Sequence, residues 1–308
     1  MKQRIDGVKS EVEKAVKGKE EIITKVLAAI LAGGHIMLED IPGVGKTTLA
    51  MSIAKTLELS YKRVQFTPDV LPSDILGFSM YNKASGEFEY REGAAMCNLF
   101  LADEINRTSP KTQSALLEIM EEGNVTVDGV TRKLPEPFVV IATENPVGSS
   151  GTQLLPESQL DRFMICLTMG YPSHEAAIDI LKDNVSSPLS ALQKIMSKED
   201  LLRARKQVDE VFVHDVIYDY IVTIVETTRE HDYFYAGVSP RGSIALLRMA
   251  KAYAYMKGKD FVSPEEIKDV IVEVFGHRVI LSSKARAKEI AIKQALLEML
   301  SGIKTPRT

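Results

Sequence analysis

The chain of 308 residues has little cysteine and no long hydrophobic run. Its two cysteines, Cys97 and Cys166, lie in apolar stretches near predicted strands, which favours buried free thiols over a disulfide or a metal site and suggests a reducing compartment. The longest uncharged apolar run, residues 26–38, is shorter than the roughly 20 residues that span a bilayer. Residues 1–14 contain no apolar core of a secretory signal. We therefore expect a cytoplasmic protein.

The chain also lacks a strong excess of either charge, because its formal net charge is −4. That balance argues against a dominant electrostatic role in binding nucleic acid or anionic lipid, although a local basic patch could lie within an acidic total. A hydrophobic content of 45% is ordinary for a globular protein with a core, and the length suggests about two domains. The five histidines show no metal-ligand spacing, so we expect them at surface or core positions.

The most informative stretch is IMLEDIPGVGKTTL, residues 36–49. An apolar run, a Pro/Gly turn and an apolar-periodic segment are typical of a buried strand that leads through a phosphate-binding loop into a helix. We expect Lys46 to contact the outer phosphates and the Thr47 hydroxyl to ligate magnesium. The full pattern has glycine where this chain has Asp40, and a structural Gly-rich bend is the alternative. The candidate nucleotide-binding residues of the loop are Pro42, Gly43, Val44, Gly45, Lys46, Thr47 and Thr48.

The arrangement of the remaining segments predicts an α/β fold, a P-loop type doubly wound parallel sheet in residues 1–172, followed by a smaller all-α domain in residues 173–308. Apolar strands are predicted at residues 61–66, 98–104, 137–143 and 163–168, alternating with helices at 4–16, 19–31, 47–57 and 110–122. Hairpins are predicted at residues 80–90 and 125–134, the second from Asp-Gly between β-branched runs. Helices are then predicted at residues 174–182, 198–210, 213–230, 241–256, 264–275 and 284–300. Ligands are expected at the carboxyl ends of the parallel strands.

Polar residues at two of these strand ends are candidates for chemistry. Asp103 and Glu104 suit a pair in which one carboxylate holds a metal through water and the other takes a proton from the attacking water, although a surface acid pair is equally compatible with the pattern. Asn145 could orient a water or touch a phosphate, or simply form a turn before a proline.

Two arginines are weaker candidates. Arg162 precedes the last predicted strand and could pair with a nearby acid, the usual fate of a lone arginine. Arg241 opens a helix, where its charge opposes the helix dipole, and this slightly favours a specific anionic partner over simple solvation.

Taken in order, these motifs resemble those of the AAA+ ATPases, and more closely those of the MoxR family. The residues that carry the resemblance are GVGKTT (43–48), FLADEINR (100–107), PKTQSALLEIMEE (110–122) followed by NVTVDGV (124–130), IATENP (141–146), LPESQLDRF (155–163) and VSPRG (238–242). The resemblance extends from about residue 18 to the C-terminal helices. It implies an ATPase whose nucleotide lies between an α/β domain and a helical lid, in a ring that usually has six subunits.

By the same resemblance, Lys46 binds the β and γ phosphates, Thr47 and Asp103 organise Mg²⁺, and Glu104 activates water. Asn145 is then the first sensor, Arg162 an arginine finger for a neighbouring subunit, and Arg241 a second sensor for its own subunit or the next. The adenine is expected against the segment from Val16 to Gly18, and both hairpins are expected at the face or pore of the ring.

The resemblance implies an ATP-driven chaperone that remodels or matures a protein client, or inserts a metal or cofactor into it, with a separate partner that carries a von Willebrand A domain. A metal-chelatase motor subunit is the main alternative. A nucleic-acid motor is less favoured, because the predicted hairpins carry acidic as well as basic residues. A nucleotide-binding scaffold without turnover would have no use for a general base.

Overall fold

The computed structural model describes residues 1–41, 43–145, 155–182 and 189–306. The strands are Ile36–Glu39 (β1), Tyr61–Gln65 (β2), Gly77–Asn82 (β3), Glu87–Glu92 (β4), Leu99–Asp103 (β5), Asn124–Val127 (β6), Val130–Lys133 (β7), Val139–Glu144 (β8), Ile165–Leu167 (β9), Phe234–Ala236 (β10) and Ile280–Leu281 (β11). The helices are Lys2–Ala15 (α1), Glu20–Leu31 (α2), Lys46–Thr56 (α3), Pro72–Leu76 (α4), Pro110–Glu122 (α5), Glu157–Leu160 (α6), His174–Lys182 (α7), Lys198–Asp209 (α8), Asp215–Glu230 (α9), Pro240–Met256 (α10), Pro264–Phe275 (α11), Ser283–Ala287 (α12) and Ile292–Ser301 (α13).

A five-stranded sheet with the order β2-β5-β8-β1-β9 organises the first half of the chain. All of its pairings are parallel, so the carboxyl ends of the five strands lie at one edge. Every residue of β5 and β8 is buried, as expected for central strands that are covered on both faces. Separate apolar clusters cover the two faces, one including α1, α2 and α3 and the other including α4 and α5. The predicted parallel α/β sheet is confirmed.

Local signals explain where the site-forming elements begin and end. Helix α5 starts at Pro110 after Ser109, whose hydroxyl accepts a hydrogen bond from the Thr112 amide, and it ends at Gly123 with φ of 64°. Two hairpins leave the sheet: β3 pairs with β4 over Gly77–Glu92, longer than predicted, and β6 pairs with β7. The β6–β7 turn has positive φ at Asp128 and Gly129, the conformation that Asp-Gly favours.

The second half of the chain is mainly helical, as predicted, with two differences. The helix predicted over residues 284–300 is two helices, α12 and α13, because Glu289 takes a left-handed φ of 55° between them. A short antiparallel pair, β10 with β11, was not predicted, since strands of three and two residues carry little periodicity.

The helical half packs against the sheet half through α2. Helices α8 and α10 contact α2, and one apolar cluster contains buried residues of all three. Cys97 is buried and Cys166 is partly exposed, and both are free thiols. No helix among residues 1–41, 43–145, 155–182 and 189–306 is both long and apolar enough to cross a membrane.

Candidate nucleotide-binding site

The loop between β1 and α3 has the geometry of a phosphate cradle. Gly43 and Gly45 have φ of 87° and 95°, values that side chains resist. A Cβ added at Gly43 would meet nothing within 4 Å, so the loop opens onto free space. Lys46 begins α3, and its Nζ donates to the Asp40 carbonyl at 2.7 Å. Backbone amides at a helix start beside a cation suit a polyphosphate.

The remaining predicted residues of the loop line the same turn. Val44 packs against the apolar cluster under the loop, and Thr47 and Thr48 lie half-buried in the first turn of α3. Within the part of the chain that the structure describes, the Thr47 hydroxyl makes no hydrogen bond and remains available to a ligand. Pro42 lies outside the described residues.

Asp40, which replaces the first glycine of the pattern, is buried and makes specific contacts. One carboxylate oxygen accepts from the Ile41 amide at 2.8 Å, and the other accepts from the Gly170 amide at 2.6 Å. A glycine could make neither bond. Asp40 therefore links the start of the loop to the turn that follows β9.

The two carboxylates after β5 point to different partners. Asp103 accepts the Thr143 hydroxyl at 2.6 Å with Oδ1 and the Arg63 guanidinium at 2.6 Å with Oδ2. Glu104 has a left-handed φ of 58°, which turns the chain out of the strand, and its amide donates to Thr143 Oγ1. The separation of adjacent carboxylates depends on this backbone turn.

Glu104 is held through both of its carboxylate oxygens. Asn145 Nδ2 donates to Oε1 at 2.8 Å, and Arg107 donates to Oε2 at 2.7 Å. Burial would raise the pKa of Glu104, but the hydrogen bonds from Arg107 and Asn145 bring it below its ordinary value. Asn145 Oδ1 also lies 3.5 Å from Lys46 Nζ. Asn145 therefore bridges the cation of the loop and the carboxylate.

Lys46 is itself buried beside these acids. Burial lowers the pKa of Lys46, while the charges of Asp103, Asp40 and Glu104 act in the opposite direction. A buried ammonium group that faces several carboxylates and an open loop is suited to bind phosphate oxygens.

The predicted adenine segment lies next to the same loop. Val16 is buried, and Gly18 has φ of 67° and packs so closely that an added Cβ would be 3.0 Å from the Ala176 Cβ. Lys19 Nζ donates to the carbonyls of Met169 and Tyr171, on either side of the Gly170 that Asp40 binds. The segment from residue 16 to 19, the loop and the turn after β9 therefore form one wall.

The two predicted arginines lie together, away from this wall. Arg162 Nη2 is 3.4 Å from Glu121 Oε2, and Arg241 is paired with the other oxygen of Glu121. Glu121 is near the end of α5 beside Met120, whose carbonyl accepts from the His35 imidazole just before β1. The pair therefore lies at the amino-terminal edge of the sheet, opposite the phosphate loop.

Several site residues were missed by the sequence reasoning: Arg63, Arg107, Thr143 and Lys19. Arg63 reaches Asp103 through the β2–β5 register, in which Gln65 pairs with Asp103, and no local motif identifies such a contact. Arg107 follows Glu104 by three residues, a spacing that could have indicated contact across one turn.

Comparisons with known proteins agree with this geometry. A model of the ATPase family associated with various cellular activities (AAA) matches residues 35–165, and a model of the AAA lid domain matches residues 226–298. YeaC of Bacillus subtilis is 49% identical over 296 residues, which cover 96% of this chain and 92% of that protein. Chaperone MoxR1 of Mycobacterium tuberculosis is 37% identical over 306 residues, 96% of this chain and 81% of that protein.

Structural similarity extends over the whole chain. The crystal structure of a candidate ATPase from Cytophaga hutchinsonii superimposes with a TM-score of 0.92 at 39% identity, covering 99% of this chain and 96% of that one. A more distant relative, the aerobic cobaltochelatase subunit CobS of a Sinorhizobium species, is 26% identical over 206 residues, 60% of this chain and 62% of that protein. The chain therefore belongs to the MoxR family of AAA+ ATPases.

Proposed function

We propose that this chain hydrolyses ATP, with Mg²⁺, at the carboxyl edge of its sheet, and that it does so as part of a ring of identical subunits. The observation that supports this most directly is the position of Asn145, between Lys46 and Glu104. Lys46 and the loop amides would hold the phosphates, and Thr47 and Asp103 would hold the metal, which offsets charge on the transferred phosphoryl group. We also propose that the nucleotide-binding domain ends, and the helical lid begins, near residue 172.

The proposed general base is Glu104. The mechanism requires that the Asn145 amide stops donating its hydrogen bond to the Glu104 carboxylate. A γ-phosphate oxygen would compete for the Lys46 ammonium and for the Asn145 amide. Once the Asn145 amide turns to the phosphate, Oε1 of Glu104 is free to accept a proton from the attacking water. Because the hydrogen bonds lower the pKa of Glu104, the carboxylate is ionised and ready to act at neutral pH.

The arginine pair supports action between subunits. Arg162 and Arg241 share Glu121 at the amino-terminal edge, and a strand of four residues at about 3.3 Å each separates that edge from the loop by roughly 13 Å. Neither arginine is positioned to reach the nucleotide of its own subunit. We therefore propose that both serve the nucleotide of the adjacent copy, and for Arg241 this is the second of the two roles that the sequence left open.

We further propose that the ring, with six subunits as its expected size, is a chaperone that couples hydrolysis to the remodelling of a client, together with a separate von Willebrand A domain protein. The β3–β4 hairpin supports this, since it exposes Phe78, Tyr81 and Phe88. Exposed aromatic side chains on a projecting hairpin are typical of protein contact surfaces. A chelatase-type motor is the second candidate, favoured by the similarity to CobS.

Nucleotide binding tests the first step of the proposal. Lys46→Ala should abolish measurable binding of ADP and of a non-hydrolysable ATP analogue with Mg²⁺ in calorimetric titration, because the buried ammonium is lost beside three carboxylates. Lys293→Ala, an exposed cation on α13, is the control and should bind like the parent. A parent protein that retains no nucleotide at about millimolar concentration contradicts the proposal.

The pH profile tests the role of Glu104. Arg107→Gln removes the charge that lowers the pKa of Glu104 and leaves the burial that raises it. The pKa should therefore rise, and hydrolysis should begin to fail at a higher pH than in the parent as the pH is lowered. Steady-state rates measured between about pH 5 and 8 show the shift, and Arg107→Lys, which keeps the charge, should shift less. If the rate falls over the same acidic pH range in all three proteins, a group other than Glu104 controls the rate.

A further inference from the structure

A cavity of about 470 Å³ at the amino-terminal edge of the sheet has more positive than negative charge in its walls. Its charged lining residues are Glu121, Asp161, Arg162, Arg241, Arg248 and Arg278. Two carboxylates therefore face four guanidinium groups. The contacts within the cavity show which of these arginines are already neutralised.

Arg278 and Asp161 satisfy each other. The Arg278 side chain is 2% exposed, its Nε donates to Asp161 Oδ1 at 2.7 Å, and its Nη atoms donate to the carbonyls of Asp161, Phe163 and Met164. The Ser239 hydroxyl occupies the other oxygen of Asp161. This pair is structural, and Asp161 is therefore not available to the other arginines.

Glu121 is shared by two arginines. Its carboxylate contacts Arg162 through one oxygen and Arg241 through the other, and Arg162 Nε is buried without a hydrogen bond to any described residue. One negative charge thus faces two positive ones. The excess of positive charge around Glu121 and the Arg162 Nε that lacks an acceptor both point to an anion that enters from outside the subunit.

Arg248 has no counter-ion among the residues that the structure describes. Within the described ranges it is exposed and forms no hydrogen bond or ion pair, and its Nη2 lies 2.9 Å from where a Cβ on Gly33 would be. The Arg205 Cζ lies 4.0 Å from the same Cβ position, its Nε donates to the Ile30 carbonyl at 2.9 Å, and its buried Nη2 has no partner among the described residues. Burial, and next the charge of Arg248, lower the pKa of Arg205 to about 10. The charges of Asp209 and Glu136 act in the opposite direction, and an anion in the cavity would further offset the repulsion between the two arginines.

Arg241 and Arg248 lie on the same face of α10. They are seven residues apart, so two helical turns of about 5.4 Å each separate them along the helix axis. Both side chains line the cavity. A row of this length matches an extended anion with several charges better than a single carboxylate.

We propose that Arg248 is a third arginine that binds the triphosphate of the nucleotide held by the adjacent copy of this chain, with Arg205 behind it holding its guanidinium towards the cavity. The inference rests on the proposed function, because it uses the same interface as Arg162 and Arg241. A triphosphate fits the surplus charge, since several negative charges arrive together in one ligand. The cavity is also separated by the length of β1 from the phosphate loop of its own subunit.

The test uses the full chain with Arg248→Ala, Arg248→Lys and, as a control, Arg203→Ala, an exposed arginine on α8. Arg248→Ala should bind ADP in its own site like the parent under dilute conditions, where subunits are separate. It should lose ATP-promoted assembly, measured by sedimentation, and hydrolysis, each by about 10- to 100-fold. Arg248→Lys should recover part of both. Mixing Arg248→Ala with Lys46→Ala subunits should restore activity, because the second protein supplies an intact Arg248.

The outcomes separate the inference from the proposed function. If Arg162→Ala is inactive while Arg248→Ala assembles and hydrolyses ATP like the parent, the inference is wrong and the proposed function stands. An assembly defect of Arg248→Ala that is equal with and without ATP would show that the cavity receives an acidic protein segment, which also overturns the inference. If Arg162→Ala is as active as the parent, the proposed action between subunits itself fails. A thermal melt of Arg248→Ala close to that of the parent shows that its defects are not due to unfolding.

Discussion

Glu104→Gln is expected to bind ATP like the parent and to hydrolyse it about 10²- to 10⁴-fold more slowly. The substitution keeps the size of the side chain and an oxygen that can accept from Asn145 Nδ2, but it removes the basic carboxylate. The loss should therefore appear in the single-turnover rate and not in the Kd for nucleotide. Rapid-quench measurement with excess protein, beside calorimetric titration of ATP, separates the two quantities.

A matched control addresses general effects of charge. Glu226→Gln changes an exposed carboxylate on α9 to the same amide and should leave both quantities unchanged. Hydrolysis by Glu104→Gln at the rate of the parent would show that another group activates water. In that case the hydrogen bonds to Asn145 and Arg107 would serve only to hold the backbone turn after β5.

Arg162→Ala is expected to lower the rate of hydrolysis by about 10³- to 10⁵-fold, the usual contribution of an arginine supplied in trans. Binding of nucleotide to separate subunits should not change, because Arg162 lies at the amino-terminal edge of the sheet, beside Glu121. Adding Lys46→Ala subunits, which bind no nucleotide but keep Arg162, should restore activity at mixed interfaces. A titration of the mixing ratio, followed by phosphate release, measures that rescue.

Two results would contradict this assignment. Failure of rescue at every ratio would mean that Arg162 acts within its own subunit or only supports the fold. Glu121→Gln removes the ion pairs of Arg162 and Arg241 but keeps both arginines. It should therefore remain active, and inactivity in this variant would indicate that the ion pairs, rather than contact with a nucleotide, are the function of the two arginines.

Features coded by neighbouring residues were predictable. The apolar runs of the central strands, the Ser-Pro start and Gly end of α5, and the Asp-Gly turn of the β6–β7 hairpin depend on contacts within a few residues. The family followed from motifs in a fixed order, and the comparisons confirm it. The chain carried enough local information to predict the parallel sheet and the helices after it.

Features that depend on distant contacts were not predictable. The bond from the Gly170 amide to Asp40 joins residues 130 positions apart, and it gives a departure from the loop pattern a structural reason. The break between α12 and α13 depends on the left-handed conformation of Glu289. Glutamate is not a residue type that predicts this conformation. Arg63 reaches Asp103 only because β2 and β5 are neighbours in register.

The sequence by itself was enough to predict a MoxR-type AAA+ ATPase, because the motifs that carry the resemblance are short runs of neighbouring residues in a fixed order. Only the tertiary structure decided which of these charged groups contact one another and which arginines meet at the opposite edge of the sheet. Parallel strands gather Lys46, Asp103, Glu104 and Asn145 at one edge and carry Arg162, Arg241 and Arg248 to the other. Which edge a residue reaches depends on strand order and helix direction, properties of the packed sheet that no single segment contains.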